Sequence, residues 1–78
     1  MVNLYLQRAI LEVVDNQLRD NEPPETRETF ERLLSEGYSK EDAKKLIGSV
    51  VVSEIFDILK KGEPYDEERY IKALKKLR

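Results

Sequence analysis

The chain has 78 residues and a mass of 9.2 kDa, which is enough for a single domain over residues 1–78 and too little for a second core. Its 14 basic and 16 acidic side chains give a net charge of -2, so it lacks the positive excess that attracts nucleic acids or anionic lipids. The sequence contains no Cys and no His, which excludes disulfides, thiolate metal sites and the commonest general base. We therefore expect a protein that is not an enzyme, with no catalytic residue, cofactor or metal site.

The hydropathy pattern predicts no membrane segment. The apolar run at residues 50–52 is only three residues long, whereas a membrane helix needs about 18 to 20. The start of the sequence also lacks the charged and then apolar pattern of a secretory signal. These features predict a cytoplasmic protein without a membrane partner.

The first predicted helix covers residues 2–21. Its apolar side chains recur with a 3.6-residue period and form a wide arc, with charged side chains on the opposite side. Pro23 and Pro24 follow, and they make continuation of the helix costly because proline lacks an N–H and restricts the residue before it.

The second predicted helix covers residues 24–36. Pro24 has the fixed φ that suits a first helical position. Gly37 follows at the point where a left-handed C-terminal cap is expected.

The third predicted helix covers residues 40–61 and is the longest, so we expect it at the centre of the fold. At its start, the Ser39 hydroxyl can accept a hydrogen bond from the N–H of Asp42. Gly62 supplies its stop.

The fourth predicted helix covers residues 67–77. Asp66 can cap it, and Tyr65 and Tyr70 occupy the two positions of a hydrophobic staple. The sequence therefore predicts a compact all-α fold of four helices joined by short turns that contain Gly or Pro.

The wide apolar arc of the first helix has two interpretations. The helix could be central in the bundle, or it could present one flank to a second copy of the chain. The candidate interface on that flank consists of Leu4, Leu11, Val14 and Leu18.

Two polar side chains fall on faces that should point inward. Glu54 lies among apolar residues of the third helix, and Gln17 lies at the centre of the apolar arc of the first, with Asn21 one turn further. An amide that donates to a carboxylate is the simplest arrangement that could retain both groups. The three residues predict either a polar pocket for a small ligand or metal, or a buried hydrogen bond that fixes helix register.

Nucleic-acid binding is weakly indicated. The junction of the second and third helices resembles a helix-turn-helix, but Glu41 and Asp42 would face phosphates, so no DNA binding is expected. A cluster of cations near the end of the sequence could contact RNA, although such cations also favour the negative end of a helix dipole. The cluster consists of Lys72, Lys75, Lys76 and Arg78.

Over nearly its whole length the chain resembles an uncharacterised family of small prokaryotic all-helical proteins, catalogued as a domain of unknown function. The residues that carry the resemblance are Asn16-Gln17-Leu18, Asp20-Asn21-Glu22-Pro23-Pro24-Glu25, Leu33, Gly37, Ala43, Ile47-Gly48-Ser49-Val50, Glu54-Ile55, Pro64, Asp66 and Tyr70. The resemblance implies a helical fold and a prokaryotic cytosolic setting. Many relatives carry a His-x-x-x-His motif where this chain has Gln7 and Leu11, so the metal role that the motif suggests does not transfer.

Taken together, these observations favour a small cytoplasmic helical module for protein interaction or assembly, with a homodimer or a protein partner. One alternative is a small-ligand or metal-binding protein with a polar pocket around Gln17 and Glu54. The other is weak RNA binding through the basic fourth helix.

Overall fold

The computed structural model describes residues 4–77, and of Leu4 it describes the backbone only. Four helices follow one another, and the described residues form no strand. The helices are α1 (Leu4–Asp20), α2 (Pro24–Ser35), α3 (Lys40–Lys61) and α4 (Glu67–Lys75). The predicted all-α fold of four helices is confirmed.

The predicted starts of α2, α3 and α4 agree with the structure. The caps of α3 and α4 could be predicted because each depends on residues within one turn of the helix start. The N–H of Asp42 donates to the Ser39 hydroxyl oxygen at 3.0 Å, and the N–H of Arg69 donates to the carboxylate of Asp66 at 3.2 Å. The staple before α4 also forms, with the rings of Tyr65 and Tyr70 6.1 Å apart. The predicted start of the first helix, at residue 2, lies outside the described residues.

The end of α1 is set by its backbone as well as by the prolines that follow. Asn21 adopts a left-handed conformation with φ of 53°, and the N–H of Glu22 donates to the Gln17 carbonyl at 3.1 Å. This is the Schellman arrangement, in which a left-handed residue lets the chain satisfy a terminal carbonyl. Asn tolerates this conformation better than most residues with a side chain.

The same arrangement ends α2, and here the sequence predicted it. Gly37 has φ of 103°, and the N–H of Tyr38 donates to the Leu33 carbonyl at 3.1 Å. Tyr38 is thereby turned back against the core.

The core lies between α3 and its neighbours. Helices α2 and α3 each pack against the other three, so the central position predicted for the third helix is confirmed. The buried apolar side chains are Ile10, Val14, Leu18, Leu33, Ala43, Ile47, Val50, Val51, Tyr70 and Leu74.

The interface predicted on the first helix needs correction. Val14 is fully buried and Leu18 is 8% exposed, because α1 packs against both α2 and α3. Neither can contact a second copy without leaving the core. Leu11 is half-buried, and the side chain of Leu4 lies outside the described residues.

Gly48 explains how α1 approaches α3 so closely. A Cβ atom at this position would lie 3.0 Å from Cγ2 of Ile10, which is closer than the ~3.5 to 4.0 Å at which carbon atoms pack best, so Ile10 would have to shift. A glycine inside a helix is destabilising relative to alanine. Its presence here therefore has a packing reason.

Candidate functional site

The large exposed apolar side chains of the described residues belong to two of the four helices and to one loop. Among the described residues, large exposed apolar side chains occur on α1, on α3 and in the loop between α3 and α4, and α2 and α4 contribute none. They are Tyr5, Leu6, Val13, Ile55, Phe56, Leu59 and Tyr65.

The C-terminal half of α3 carries an apolar stripe. Val52, Ile55, Phe56 and Leu59 are spaced i, i+3, i+4 and i+7, so they lie on one face of the helix. Phe56 is 66% exposed and Leu59 is 76% exposed. Such a face is normally packed against another element. We call these four residues the α3 stripe.

An apolar groove continues the α3 stripe toward the start of the helix. It has a volume of about 340 Å³ and runs between α1 and α3. Its lining residues are Leu6, Gln7, Ile10 and Leu11 from α1, and Lys45, Gly48, Ser49 and Val52 from α3. We call it the α1–α3 groove. Val52 belongs to both features, so stripe and groove form one continuous surface.

A smaller cleft of about 220 Å³ holds two of the predicted pocket residues. Gln17 and Glu54 both line it. The other lining residues are Val13, Val51, Ile55, Ile58, Tyr65 and Tyr70. The structure thus brings Gln17 and Glu54 to one cleft, and their hydrogen bonds show what each side chain does there.

The carbonyl oxygen of the Gln17 side chain accepts two hydrogen bonds. The Thr26 hydroxyl and the Tyr70 hydroxyl both donate to it at 2.8 Å. The three side chains therefore link α1, α2 and α4. Burial raises the pKa of the Tyr70 phenol, and its side-chain hydrogen bonds with Thr26 and Gln17 oppose that rise.

Glu54 pairs with a residue that the sequence analysis did not single out. Arg69 donates from Nε to one Glu54 carboxylate oxygen at 3.1 Å, and from Nη2 to the other at 2.6 Å. Arg69 Nη1 also lies 3.5 Å from the carboxylate of Glu63. The expected hydrogen bond between Gln17 and Glu54 is therefore not the one that forms. Gln17 accepts from Thr26 and Tyr70 instead, and Glu54 accepts from Arg69.

The electrostatics of Glu54 follow from this pairing. The hydrogen bonds from Arg69 lower the pKa of the Glu54 carboxyl, and the backbone N–H of Asp66 adds to that effect. Burial acts in the opposite direction but is the smaller influence. The same pairing raises the pKa of Arg69. Glu54 is therefore a charged structural partner at neutral pH.

The sequence contained a signal that could have identified Arg69 as the partner of Glu54. The turn after Gly62 is short, so the first turn of α4 must lie beside the last turns of α3. Arg69 is the only cation in the segment from Asp66 to Tyr70. A buried carboxylate two turns before the end of α3 could have been matched to it.

Asn21 does not belong to the cleft. It is exposed and lies outside the lining of that cleft, because its left-handed backbone turns the chain away from α1. Its place in the predicted pocket is therefore wrong, and its observed role is to end the helix.

The remaining candidate sites show no converging ligands. Within residues 4–77, no group of three or more acidic side chains is placed to hold a metal ion. Lys72, Lys75 and Lys76 are exposed near the end of α4, and Arg78 lies outside the described residues. None of the helices described is long and apolar enough to cross a membrane.

Comparison of the chain with family models, with curated proteins and with solved structures gives no match. The resemblance to a prokaryotic helical family therefore stays a prediction.

Proposed function

We propose that the protein is a small assembly module that forms a homodimer through the α3 stripe and the α1–α3 groove. The observation that carries the proposal is the concentration of exposed apolar side chains on α1, α3 and the loop after α3. Of the interface residues predicted on the first helix, Val14 and Leu18 belong to the core instead. The proposed interface keeps Leu11, which lines the α1–α3 groove.

The size of the apolar surface supports stable association. Together the seven exposed side chains present roughly 700 to 800 Å² of surface. A standard protein interface uses about 800 Å² from each partner. The surface is therefore large enough for one interface of ordinary size.

A second copy fits this surface better than an unrelated partner does. A dimer with a twofold axis needs a self-complementary surface on each copy, and a raised feature beside a hollow is one way to provide it. The α3 stripe and the α1–α3 groove provide that combination next to each other on one face. The net charge of -2 is small, so two copies repel each other only weakly.

The alternatives have less support. Both carboxylate oxygens of Glu54 already accept hydrogen bonds from Arg69, and the Gln17 carbonyl oxygen is occupied by Thr26 and Tyr70. Among the described residues, α4 carries no large exposed apolar or aromatic side chain that could serve as a stacking platform beside these lysines, so RNA association is not favoured. The cytoplasmic setting predicted from the sequence belongs to the same proposal.

Sedimentation over a concentration series tests the proposal. We expect the wild-type chain to shift from monomer to dimer with rising concentration. Phe56→Glu places a charge in the interface and should leave a monomer, whereas Phe56→Leu keeps the side chain apolar and should retain the dimer. Circular dichroism of all three proteins checks that the fold is unchanged. A wild-type chain that stays monomeric up to millimolar concentration contradicts self-association.

A further inference from the structure

We infer that the cleft lined by Gln17 and Glu54 binds a small, neutral aromatic ligand whose carbonyl oxygen accepts hydrogen bonds from the side-chain amide of Gln17. This inference goes beyond the proposed self-association and does not depend on it. It follows from a polar group of the cleft that no described residue partners.

The Gln17 side chain uses its acceptor within the fold but not its donors. Its Oε1 atom accepts from the hydroxyls of Thr26 and Tyr70, whereas its Nε2 atom donates to none of residues 4–77. A side-chain amide nitrogen carries two N–H groups. No buried side-chain nitrogen or oxygen in the described part of the chain lacks a partner, so Nε2 must reach solvent. Gln17 lines the cleft, and its N–H groups are therefore available to a ligand there.

The charge of the cleft is already balanced. Glu54 is 7% exposed, and Arg69 donates to both of its carboxylate oxygens. This pairing leaves no demand for a metal ion or an organic cation. A ligand carboxylate would lie close to the Glu54 carboxylate and would be repelled. The cleft therefore favours a neutral acceptor.

The rest of the lining is apolar and aromatic. Val51 and Tyr70 are buried, whereas Val13, Ile55 and Tyr65 are exposed at the rim. The rings of Tyr65 and Tyr70 lie 6.1 Å apart at 55°, and Tyr65 is still 51% exposed, so it can pack against a third ring. An aryl group suits this lining better than an alkyl chain, because ring contacts add to burial and fewer rotatable bonds are fixed.

The volume of the cleft limits the size of the ligand. At about 220 Å³ it is smaller than the ~300 to 1,000 Å³ of sites for drug-sized molecules. An apolar cavity of about 150 Å³ holds benzene. One ring with a short carbonyl substituent, as in acetophenone, is therefore the size that fits.

Titration with acetophenone, followed by proton–nitrogen correlation NMR, tests the inference. We expect saturable shifts of the side-chain amide signals of Gln17, with a Kd of about 1 mM, as is typical of a ligand with so few atoms. The compound α-methylstyrene has the same shape with a methylene group in place of the carbonyl oxygen, and it should bind about fivefold more weakly. Equal binding of the two compounds would overturn the role of Gln17. Benzoate that binds as tightly as acetophenone would overturn the selection of a neutral ligand.

Gln17→Glu removes the donors and keeps an acceptor. Its carboxylate can still accept from Thr26 and Tyr70 but has no N–H to offer, so acetophenone binding should weaken about fivefold or more. Gln7→Glu is the matched control, because it makes the same charge change at a half-buried position of α1 outside this cleft. It should bind acetophenone as the wild type does.

Val13→Phe covers the case in which Gln17→Glu disturbs the fold. Val13 is 38% exposed at the rim, so a larger side chain can fill the cleft from its solvent side and should abolish binding. Ala9→Phe, at an exposed position one turn earlier and outside the lining, should leave binding unchanged. Wild-type affinity in both Gln17→Glu and Val13→Phe would place the ligand elsewhere and would overturn the inference.

The outcomes separate this inference from the proposed function. The titrations use the Phe56→Glu background, which should be monomeric and whose altered residue does not line the cleft. If the wild-type chain stays monomeric in sedimentation, self-association fails and the ligand site stands. If the Gln17 signals do not shift at about ten times the expected Kd, the ligand site fails and self-association stands.

Discussion

Arg69 donates hydrogen bonds to both carboxylate oxygens of Glu54, at 3.1 and 2.6 Å, and thereby ties the first turn of α4 to α3. Glu54 is 7% exposed, so its charge has little access to water. The stabilisation that such a pair adds over two apolar residues is small or absent, whereas removal of one partner leaves a buried charge uncompensated.

A double-mutant cycle tests this relationship. Arg69→Met should lower the melting temperature by several degrees, because the Glu54 carboxylate loses its partner. The double variant Glu54→Met with Arg69→Met should recover most of that loss, since it removes the charge together with its partner. Thermal unfolding followed by circular dichroism measures both effects. Additive losses in the double variant would mean that the two side chains are not coupled.

The same pair predicts a specific pH dependence. The pKa of Glu54 is lowered in the folded protein, so between that pKa and the ordinary glutamate value of about 4.3 the unfolded chain binds more protons. The stability contributed by Glu54 is therefore fully present above pH ~4.3 and is lost as the pH falls through the folded pKa. Glu54→Gln should show a shallower loss of stability in this acidic range than the wild type. Equal slopes would contradict the lowered pKa.

The hydrogen bonds at Gln17 predict the effect of Tyr70→Phe. This change removes the hydroxyl that donates to Gln17 at 2.8 Å and leaves the buried ring in place. We expect a loss of about 1 kcal/mol in the free energy of unfolding, measured by urea denaturation. Tyr65→Phe is the matched control, because Tyr65 is 51% exposed. An equal loss in both variants would show that the hydroxyl of Tyr70 has no special role.

Asn21 offers a test of its backbone role. Its φ of 53° is strained for alanine and free of strain for glycine. Asn21→Ala should therefore cost about 1 kcal/mol of stability, and Asn21→Gly should cost none. Asn16→Ala, an exposed change inside α1, serves as the control and should be neutral or stabilising. If Gly and Ala destabilised equally at position 21, the Asn side chain itself would be what matters.

The sequence predicted the fold because helix limits depend on local chemistry. Ser39, Asp66 and Gly37 act within one turn of their positions, so their roles can be inferred without any tertiary information. The inward position of Glu54 was also predicted, because the 3.6-residue period fixes the direction of a side chain on its helix.

The partners of the inward polar groups could not be predicted in the same way. The periodicity gives the face on which Gln17 lies, but the contacts with Thr26 and Tyr70 depend on how three helices pack. The exposed α3 stripe was missed for a related reason. Apolar residues occur on most of the circumference of α3, so the pattern does not say which flank its neighbours leave uncovered.

Helix α4 is secured at both ends by arginines. Arg69 in its first turn binds Glu54 of α3, and Arg32 of α2 donates to the Leu74 carbonyl in its last turn at 3.2 Å. A helix of nine residues is too short to persist alone in water, while Tyr70 and Leu74 complete the core. Since α4 is translated after the other three helices, the nascent chain cannot close its core until this segment has left the ribosome.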